Sequence, residues 1–429
     1  MRRFKILEII PTLDQSGAEK QLVLLASGLP KERFDVRVAV LTRDGPLSQA
    51  LREARIPYTV IGKRSKISLL ALSRLKKEIR AFAPDLVHTW IFAANAYGRK
   101  AAIDCGVPKI VCGERCVDPW KGRLHFAIDR YLAKKTDCFA VNSDGIRDFY
   151  VRHGLPEEKF VMIPNAVLPP RPSTISRREI FDQLGIVPSA GAKENAAIGG
   201  VTLSAAGSAS TPLDRPAAEH TAAPDGAAPL SDRQLRGPFL IGMIARFWPQ
   251  KRLDEAIFAA EELKFTGCDF HLLIFGDGPL RDNLLRYREE LGIEDRVHLL
   301  GHRNDVWQFV PHFDLLWCTS AYEGQSNSIL EAMACGVPVI ASDIPGNREL
   351  VESGVTGTLI TEFSDKFRRR TAFCKESFRL FQRENAAVRL AMGRAAKARI
   401  EKEFSLELMI SRYAALYRRL IEGDERGRG

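Results

Sequence analysis

The sequence predicts an α/β protein with two domains of similar build, each a parallel sheet covered by helices on both faces. Short apolar runs typical of buried strands alternate with longer runs of helical spacing as far as residue 163, and the alternation resumes at residue 239. The length of 429 residues suits two or three domains. Hydrophobic residues make up 45% and charged residues 27%, which excludes fibrous and wholly disordered proteins.

In the first half, predicted strands and helices alternate. The first strand, Lys5–Ile10, ends before Pro11, and the first helix, Ala18–Leu29, ends before Pro30. Because Glu8 and Pro11 interrupt the apolar run, a strand is expected here and not a signal peptide. Later strands are predicted at Val36–Leu41, Tyr58–Ile61, Leu86–His88, Lys109–Cys112, Cys138–Asn142 and Phe160–Ile163. Later helices are predicted at Leu47–Ala54, Leu69–Phe82, Ala93–Asp104, Arg123–Lys134 and Asp144–His153.

The second half repeats this pattern up to residue 341. Its strands are predicted at Phe239–Ile244, His271–Phe275, Val297–Leu299, Leu315–Cys318 and Val339–Ala341. Its helices are predicted at Leu253–Lys264, Leu280–Leu291, Asn327–Cys335 and, closing the chain, Leu406–Ile421. In such sheets the cleft at the carboxyl ends of the strands is the usual ligand site.

Residues 188–237 interrupt the alternation. Of these 50 residues, 32 are Ala, Gly, Pro, Ser or Thr and none is aromatic, so the segment cannot bury enough apolar surface to fold. A disordered insertion is therefore expected between the domains. The predicted bounds are 1–187 for the first domain, 188–237 for the insertion, 238–405 for the second domain and 406–429 for a final helix.

The positive charge is concentrated in the first domain. Residues 1–170 hold 29 Lys and Arg against 18 Asp and Glu, whereas the remainder is nearly balanced. Between Lys63 and Arg80 there are seven basic residues and one acid, Glu78. Such a patch suits an anionic surface, either nucleic acid or the cytoplasmic leaflet, although a solvated helix face would look the same. No aromatic residues are interleaved with these cations, which favours a membrane over nucleic acid.

Several classes are disfavoured by what the sequence lacks. It contains no apolar run of about 18 residues for a membrane span, no G-x-G-x-x-G after the first strand and no P-loop motif. It also contains no Asp-x-Asp, so a metal-bridged nucleotide-sugar site is unsupported and no metal ligands are predicted. Its eight cysteines have neither disulfide-scaffold density nor zinc spacing, which indicates reduced thiols in a cytoplasmic protein.

The clearest chemical signal runs from Glu323 to Glu331. One carboxylate ends a strand-to-helix loop, and the second lies eight residues later in the helix. The backbone N–H groups near Ser326, Asn327 and Ser328 would begin that helix and form an anion site. A carboxylate beside such a site can accept hydrogen bonds from two ribose hydroxyls. An ordinary exposed helix residue remains the alternative for Glu331.

Two cations follow strand Phe239–Ile244. Arg246 and Lys251 stand where they could hold a diphosphate and stabilise it as it leaves. A surface pair near a turn would give the same spacing.

The loops after two predicted strands of the first domain add weaker candidates. Gly17 would allow a phosphate to approach, whereas Glu19 fits a capping box with Ser16 better than a substrate contact. His88 ends its strand and would face the cleft, where it could bind a sugar or assist proton transfer. A structural histidine is the alternative.

Together these residues resemble the retaining glycosyltransferases of family 4, which have the GT-B fold. The resemblance covers nearly the whole chain outside residues 188–237 and is most specific in the run Tyr322–Leu359. The other pieces that carry it are Ser16–Glu19, Asp85–His88, Asn142–Ser143, Pro164–Asn165, Arg246 with Lys251, and Phe275–Pro279. It implies transfer of a sugar from a nucleotide-sugar to a glycan or lipid-linked acceptor, in surface polysaccharide or glycolipid synthesis.

The resemblance also implies roles for single residues. Arg246 and Lys251 would hold the diphosphate, Glu323 would face the donor sugar, and Glu331 the ribose. Ser326, Asn327, Ser328 and Gly17 would approach sugar or phosphate, His302 and Arg303 would flank the base, and His88 would lie near the acceptor. The donor acts as a co-substrate, no separate cofactor is implied, and the last helix would pack back on the first domain.

The chain departs from the family pattern at two positions. Many relatives carry His-x-His where this chain has His88-Thr-Trp90, and Gly-Gly where it has Ser16-Gly17. Two other functions stay open: a nucleotide-sugar epimerase with the same architecture, and a non-catalytic nucleotide-sugar-binding module. The expected location is the cytoplasm, with docking through Lys63–Arg80 at the inner membrane face and no nucleic-acid partner.

Overall fold

The computed structural model describes residues 2–65, 67–186 and 237–425. These residues fall into two compact units, one formed by Met1–Ser176 with Phe239–Gly429 and a small one formed by Arg177–Pro238. The predicted insertion, apart from Gly237, lies outside the described residues, so its expected disorder and the domain bounds drawn around it remain predictions. Lys66 of the basic patch also lies outside them.

The first sheet has seven parallel strands in the order β3-β2-β1-β4-β5-β6-β7. Its strands are β1 (Phe4–Thr12), β2 (Phe34–Arg43), β3 (Tyr58–Val60), β4 (Leu86–Trp90), β5 (Lys109–Glu114), β6 (Cys138–Val141) and β7 (Phe160–Met162). The helices that follow them are α1 (Gly17–Gly28), α2 (Ser48–Glu53), α3 (Leu69–Phe82), α4 (Ile91–Asp104), α5 (Arg123–Ala133) and α6 (Asp144–Arg152). Every predicted strand and helix of this half is present, because the central strands β1, β4, β5 and β6 are largely buried and the helices have one apolar face.

In the small unit, helix α7 (Arg177–Leu184) was not predicted from the sequence. Within this unit the Arg177 guanidinium donates a hydrogen bond to the carbonyl of Pro238 at 2.7 Å.

The second sheet has six parallel strands in the order β10-β9-β8-β11-β12-β13. Its strands are β8 (Phe239–Ile244), β9 (Phe270–Phe275), β10 (Val297–Gly301), β11 (Leu315–Cys318), β12 (Val339–Ser342) and β13 (Gly357–Ile360). Its helices are α8 (Leu253–Phe265), α9 (Arg281–Glu290), α10 (Val306–Phe309), α11 (Asn327–Ala334), α12 (Pro345–Arg348), α13 (Lys366–Phe381) and α14 (Ala386–Glu403). Strand β13 and helices α10, α12, α13 and α14 were not predicted. The two-domain fold with parallel sheets is nevertheless confirmed.

The last helix, α15 (Leu406–Glu425), returns to the first sheet as predicted. Met409, Tyr413 and Tyr417 are buried in one core cluster with residues of β1, β2 and α1. The two halves of the larger unit are therefore joined by the final helix as well as by the loops at the carboxyl ends of the strands.

Candidate functional site

The strand order brings the predicted site residues to one region of each sheet. All strands are parallel, but the order in which the chain adds them reverses at the centre of each sheet, between β1 and β4 and between β8 and β11. A crevice forms outside the carboxyl ends of the strands at such a point. Gly17 follows β1, Arg246 and Lys251 follow β8, and Glu323 follows β11. Because β8 and β11 are neighbours, residues some 70 positions apart in the sequence come together.

Lys251 and Glu323 form a partly buried ion pair at this crevice. The Lys251 ammonium contacts the Glu323 carboxylate, to which the Ser320 hydroxyl also donates at 2.7 Å. The Thr319 hydroxyl donates to the Lys251 carbonyl at 2.7 Å, which fixes the turn that carries the lysine. Burial lowers the pKa of Lys251, but the charge and hydrogen bond of Glu323, together with Cys318, outweigh it, so the net pKa is raised and the ammonium stays protonated.

Arg246 adds a second positive charge near this pair. Its guanidinium lies 5.8 Å from the ring centroid of Trp248, and its charge acts to lower the pKa of Lys251. The charges of Arg246, Lys251 and Glu323 also act on Cys116, in the loop after β5. Burial, reinforced by the carboxylates of Glu323 and Asp118, raises the pKa of the Cys116 thiol to about 12. Cys116 was given no role from the sequence, because its spacing from Cys112 has no matching second pair.

Helix α11 begins beside the ion pair, and loops of the first sheet hold its first turn. The Asn165 amide donates to the Asn327 side-chain oxygen at 3.0 Å, and the Asn327 amide donates to the Gly17 carbonyl at 3.2 Å. The Ser326 and Ser328 hydroxyls are hydrogen-bonded to each other at 2.9 Å, and Ser326 does not cap the helix. Because Ser326 does not cap them, the backbone N–H groups of this first turn can donate hydrogen bonds to an anion.

Glu331 lies on the same helix and points towards the first sheet. Its carboxylate is 3.0 Å from the Lys20 ammonium of α1, and both side chains are partly exposed. Lys20, Asn165 and Gln325 were given no role from the sequence. Gln325 accepts the Asn165 backbone N–H at 2.8 Å, so these residues join the two sheets around the predicted ribose contact.

His302 and Arg303 follow β10, two strands away from β8. His302 is exposed, and the Arg303 guanidinium forms two hydrogen bonds to Asp305, at 2.8 and 2.6 Å. Neither residue makes a hydrogen bond or ion pair with Lys251 or Glu323. Their expected place beside the base therefore stays a prediction.

His88 does not face the crevice as predicted. The side chain has no exposed surface, and its Nδ1 lies 2.7 Å from the Tyr417 hydroxyl and 3.1 Å from the Glu8 carboxylate. Strand β4 continues to Trp90, which is also fully buried and donates to Glu8 at 2.6 Å. The placement was wrong because α15, more than 300 residues later, covers this strand end, so His88 cannot touch an acceptor in this arrangement.

Glu19 also differs from its expected role. Its carboxylate accepts hydrogen bonds from the Thr12 hydroxyl, at 3.0 Å, and from the Ser16 hydroxyl. Ser16 makes no side-chain bond to the backbone of α1, so the predicted capping box is not formed. Glu19 instead ties the loop to the end of β1, and its burial raises its pKa.

Among the described residues, no group of three or more His, Cys, Asp or Glu is placed to hold a metal ion. No helix in the described part of the chain is long and apolar enough to cross a membrane.

Two parallel sheets with this strand order, joined at their carboxyl-edge loops and by a returning final helix, define the GT-B class of fold. Within that class, the description "Glycosyltransferase Family 4" matches residues 15–169, and "Glycosyl transferases group 1" matches residues 232–372. The putative glycosyltransferase EpsF of Bacillus subtilis is 32% identical over 84% of this chain and 83% of its own length. The chain therefore belongs to the group 1, family 4 glycosyltransferases.

Other similar proteins differ in how much of the chain they match. The UDP-Gal:alpha-D-GlcNAc-diphosphoundecaprenol alpha-1,3-galactosyltransferase of Escherichia coli is 26% identical over 82% of each chain. The N-acetyl-alpha-D-glucosaminyl L-malate synthase of Bacillus anthracis is 31% identical, but the match spans 43% of this chain and less than half, 46%, of that relative. Among solved structures, HepE of Anabaena in complex with UDP and glucose has a TM-score of 0.73 and 21% identity, covering 96% of this chain and 99% of that one.

Proposed function

We propose that this protein is a retaining, metal-independent glycosyltransferase. It moves a sugar from a nucleoside-diphosphate donor to a hydroxyl of a glycan or lipid-linked acceptor, in surface polysaccharide or glycolipid synthesis at the inner face of the cytoplasmic membrane. The observation that carries the proposal is the Lys251–Glu323 ion pair beside Arg246, at the ends of two neighbouring strands and next to the start of α11.

These groups suit the binding of a donor diphosphate. Lys251, Arg246 and the N–H groups at the start of α11 supply positive charge without a metal ion. Glu331 would accept hydrogen bonds from the ribose once it exchanges its Lys20 partner for the ligand. The names of similar proteins support this donor class, because the Escherichia coli relative uses UDP-Gal and HepE was crystallised with UDP.

The reaction would proceed on one face of the donor sugar. The bond between the anomeric carbon and the leaving phosphate oxygen breaks, and the acceptor oxygen forms its bond on the same face. The leaving phosphate oxygen takes the acceptor proton, so no separate protein base is needed. Lys251 and Arg246 stabilise the negative charge that develops on the diphosphate.

The acceptor would meet the first sheet. The acceptor named for the Escherichia coli relative is a sugar on diphosphoundecaprenol, which supports a lipid-linked acceptor here. The excess of cations in the first 170 residues, including Lys63–Arg80, supports docking at an anionic membrane.

The first experiment is a thermal-shift screen across UDP-, GDP- and ADP-sugars. A true donor raises the melting temperature because it binds only the folded state, and the shift should disappear in Glu331→Ala. With that donor, Lys251→Ala and Glu331→Ala should each lower turnover about 10²-fold. Lys264→Ala is the matched control, because its ammonium pairs with Asp295 at the other end of α8.

Each alternative has a distinct result. Wild-type turnover in both Lys251→Ala and Glu331→Ala would refute the assignment of the site. A product with inverted anomeric configuration, read from its NMR coupling constants, would refute the retaining mechanism. Conversion of the donor sugar without an acceptor would indicate an epimerase, and binding without any turnover a binding module.

A further inference from the structure

The outer face of helix α5 carries large apolar side chains in contact with solvent. Trp120, just before the helix, is 56% exposed, Leu124 72%, Ile128 39% and Tyr131 65%. Steps of four and three residues place Leu124, Ile128 and Tyr131 on one side of the helix, and Trp120 lies in the turn just before it. We call these four residues the α5 face; the sequence predicted this helix but gave it no function.

The opposite side of α5 is firmly packed, so the exposed face is not a misplaced core. Phe126 and Leu132 are buried against the first sheet. Asp129 is buried too, and its carboxylate binds Arg99 at 2.5 Å and Lys121 at 3.2 Å. A helix held this tightly presents its outer side chains in a fixed arrangement.

Positive charge predominates around the α5 face. The nearest acid is Asp118, which accepts a hydrogen bond from the Trp120 indole at 3.1 Å and pairs with Lys121 at 3.2 Å. Between Pro119 and Lys135 the single acidic residue is Asp129, which is buried and paired with cations. The exposed charged residues of the same stretch are all basic: Arg123, Arg130, Lys134 and Lys135. Large apolar side chains flanked by cations form the pattern of a helix that lies in the headgroup region of an anionic bilayer.

A second apolar group lies at the start of α3. Ile67 is 84% exposed, Leu69 79% and Leu70 62%. Helix α4 packs against both α3 and α5 and joins the two groups. The backbone N–H of Ser68 donates to the Tyr97 hydroxyl of α4 at 2.7 Å, and the Phe92 ring of α4 meets the Trp120 ring edge-on at 4.9 Å.

We infer that the α5 face, together with Ile67, Leu69 and Leu70, docks this protein on an anionic phospholipid bilayer. The inference deepens the proposed function and rests on it, because it supplies a route to a lipid-linked acceptor. Helices α3 and α5 begin at the carboxyl edge of the first sheet, the edge that also carries Gly17. Docking there brings the diphosphate end of a membrane-anchored acceptor to the crevice, while Trp120 and Tyr131 sit at the headgroup level.

The test is flotation of the full chain with vesicles made of equal parts phosphatidylglycerol and phosphatidylcholine, compared with phosphatidylcholine alone. The wild type should bind the anionic vesicles at low salt and dissociate from them at high salt. Leu124→Ser combined with Ile128→Ser should weaken binding about tenfold or more, because the apolar contact is lost. Lys134→Gln combined with Lys135→Gln should do the same by removing two cations.

Phe265→Ser is the matched control. Phe265 is 82% exposed at the end of α8 on the second sheet, so its loss should leave vesicle binding unchanged. The donor-induced thermal shift of every variant should equal that of the wild type, which separates a docking defect from misfolding. Vesicle binding without any donor binding would leave this inference standing and count against the proposed function alone.

Three outcomes would overturn the inference. The first is failure of the wild type to bind anionic vesicles at low salt. The second is that Leu124→Ser combined with Ile128→Ser binds anionic vesicles as strongly as the wild type. The third is a concentration-dependent dimer that the same double variant abolishes, which would make the α5 face an interface between two copies of this chain.

Discussion

Gly324 is the point where the loop after β11 meets the first sheet, and replacing it with alanine tests that contact. A methyl group there would lie 2.8 Å from the Asn142 side-chain oxygen and 2.9 Å from the Ile146 methyl, and closer still to the Arg115 carbonyl oxygen. Carbon atoms in contact normally stand about 3.5–4.0 Å apart. Because the Arg115 carbonyl is backbone, it cannot move aside by changing a rotamer.

The two sheets must therefore separate by about 1 Å to admit the methyl group. A misplacement of that size can lower turnover about 10²-fold, which corresponds to about 2.7 kcal/mol at the transition state. The donor groups named above, Lys251, Glu323 and Glu331, all belong to the second sheet and move together. Donor affinity in Gly324→Ala should therefore stay close to that of the wild type.

The assay measures kcat by release of nucleoside diphosphate and donor affinity by titration calorimetry. Gly423→Ala is the control, because nothing lies within 4 Å of the added methyl group. Wild-type turnover in Gly324→Ala would refute the close contact. An equal loss of donor affinity and turnover would assign the effect to the donor site and not to the fit between the sheets.

Three further predictions concern stability. Burial raises the pKa of Glu349 to about 7, so the folded protein keeps this proton to higher pH than the unfolded chain, and stability falls between about pH 4.5 and 7. The free energy of unfolding, measured with urea at pH 5 and pH 7, should fall by about 1–2 kcal/mol less in Glu349→Gln than in the wild type. The same fall in both proteins would contradict the raised pKa. Burial lowers the pKa of both His271 and His298 to about 4, so the free energy of unfolding should fall as the pH drops from about 6.5 to 4. His298→Gln should lose less stability over this range, as measured by acid unfolding followed by circular dichroism. Asp129→Asn leaves the buried Arg99 without its ion-pair partner and removes one of three carboxylates near Lys121, so it should cost about 3–5 kcal/mol in urea unfolding. Asp14→Asn, at an exposed pair, should cost less than about 1 kcal/mol, and equal costs would refute the difference in burial.

The elements that the sequence predicted well are those whose burial shows in local hydropathy. Strands such as β8 and β9 are almost entirely buried and apolar, so short runs of Ile, Leu and Phe mark them. Helix α14 was missed for the opposite reason. Its buried positions include Arg389, Gly393 and Ala396, which are charged or small, so helical spacing of large apolar residues does not appear.

The candidate site was predictable only in part. Arg246, Lys251 and Glu323 follow strands, and the parallel fold brings strand ends to one edge, so their approach could be expected from local sequence. Cys116, Lys20 and Asn165 contact or approach this site from the first sheet. No sequence spacing relates them to Glu323 or Asn327, because their neighbours are more than 150 residues away.

The sequence by itself determined the alternation of strands and helices and the chemistry at the strand ends, since both depend on the residues of one segment. Only the tertiary structure decided which side chains at the carboxyl edge of the first sheet are buried and which are exposed to solvent. Helix α15 covers His88 and Trp90, while α5 leaves Trp120 and Leu124 in solvent. Whether a side chain is buried depends on what a distant part of the chain places over it, and that choice is made by the free energy of packing the whole molecule.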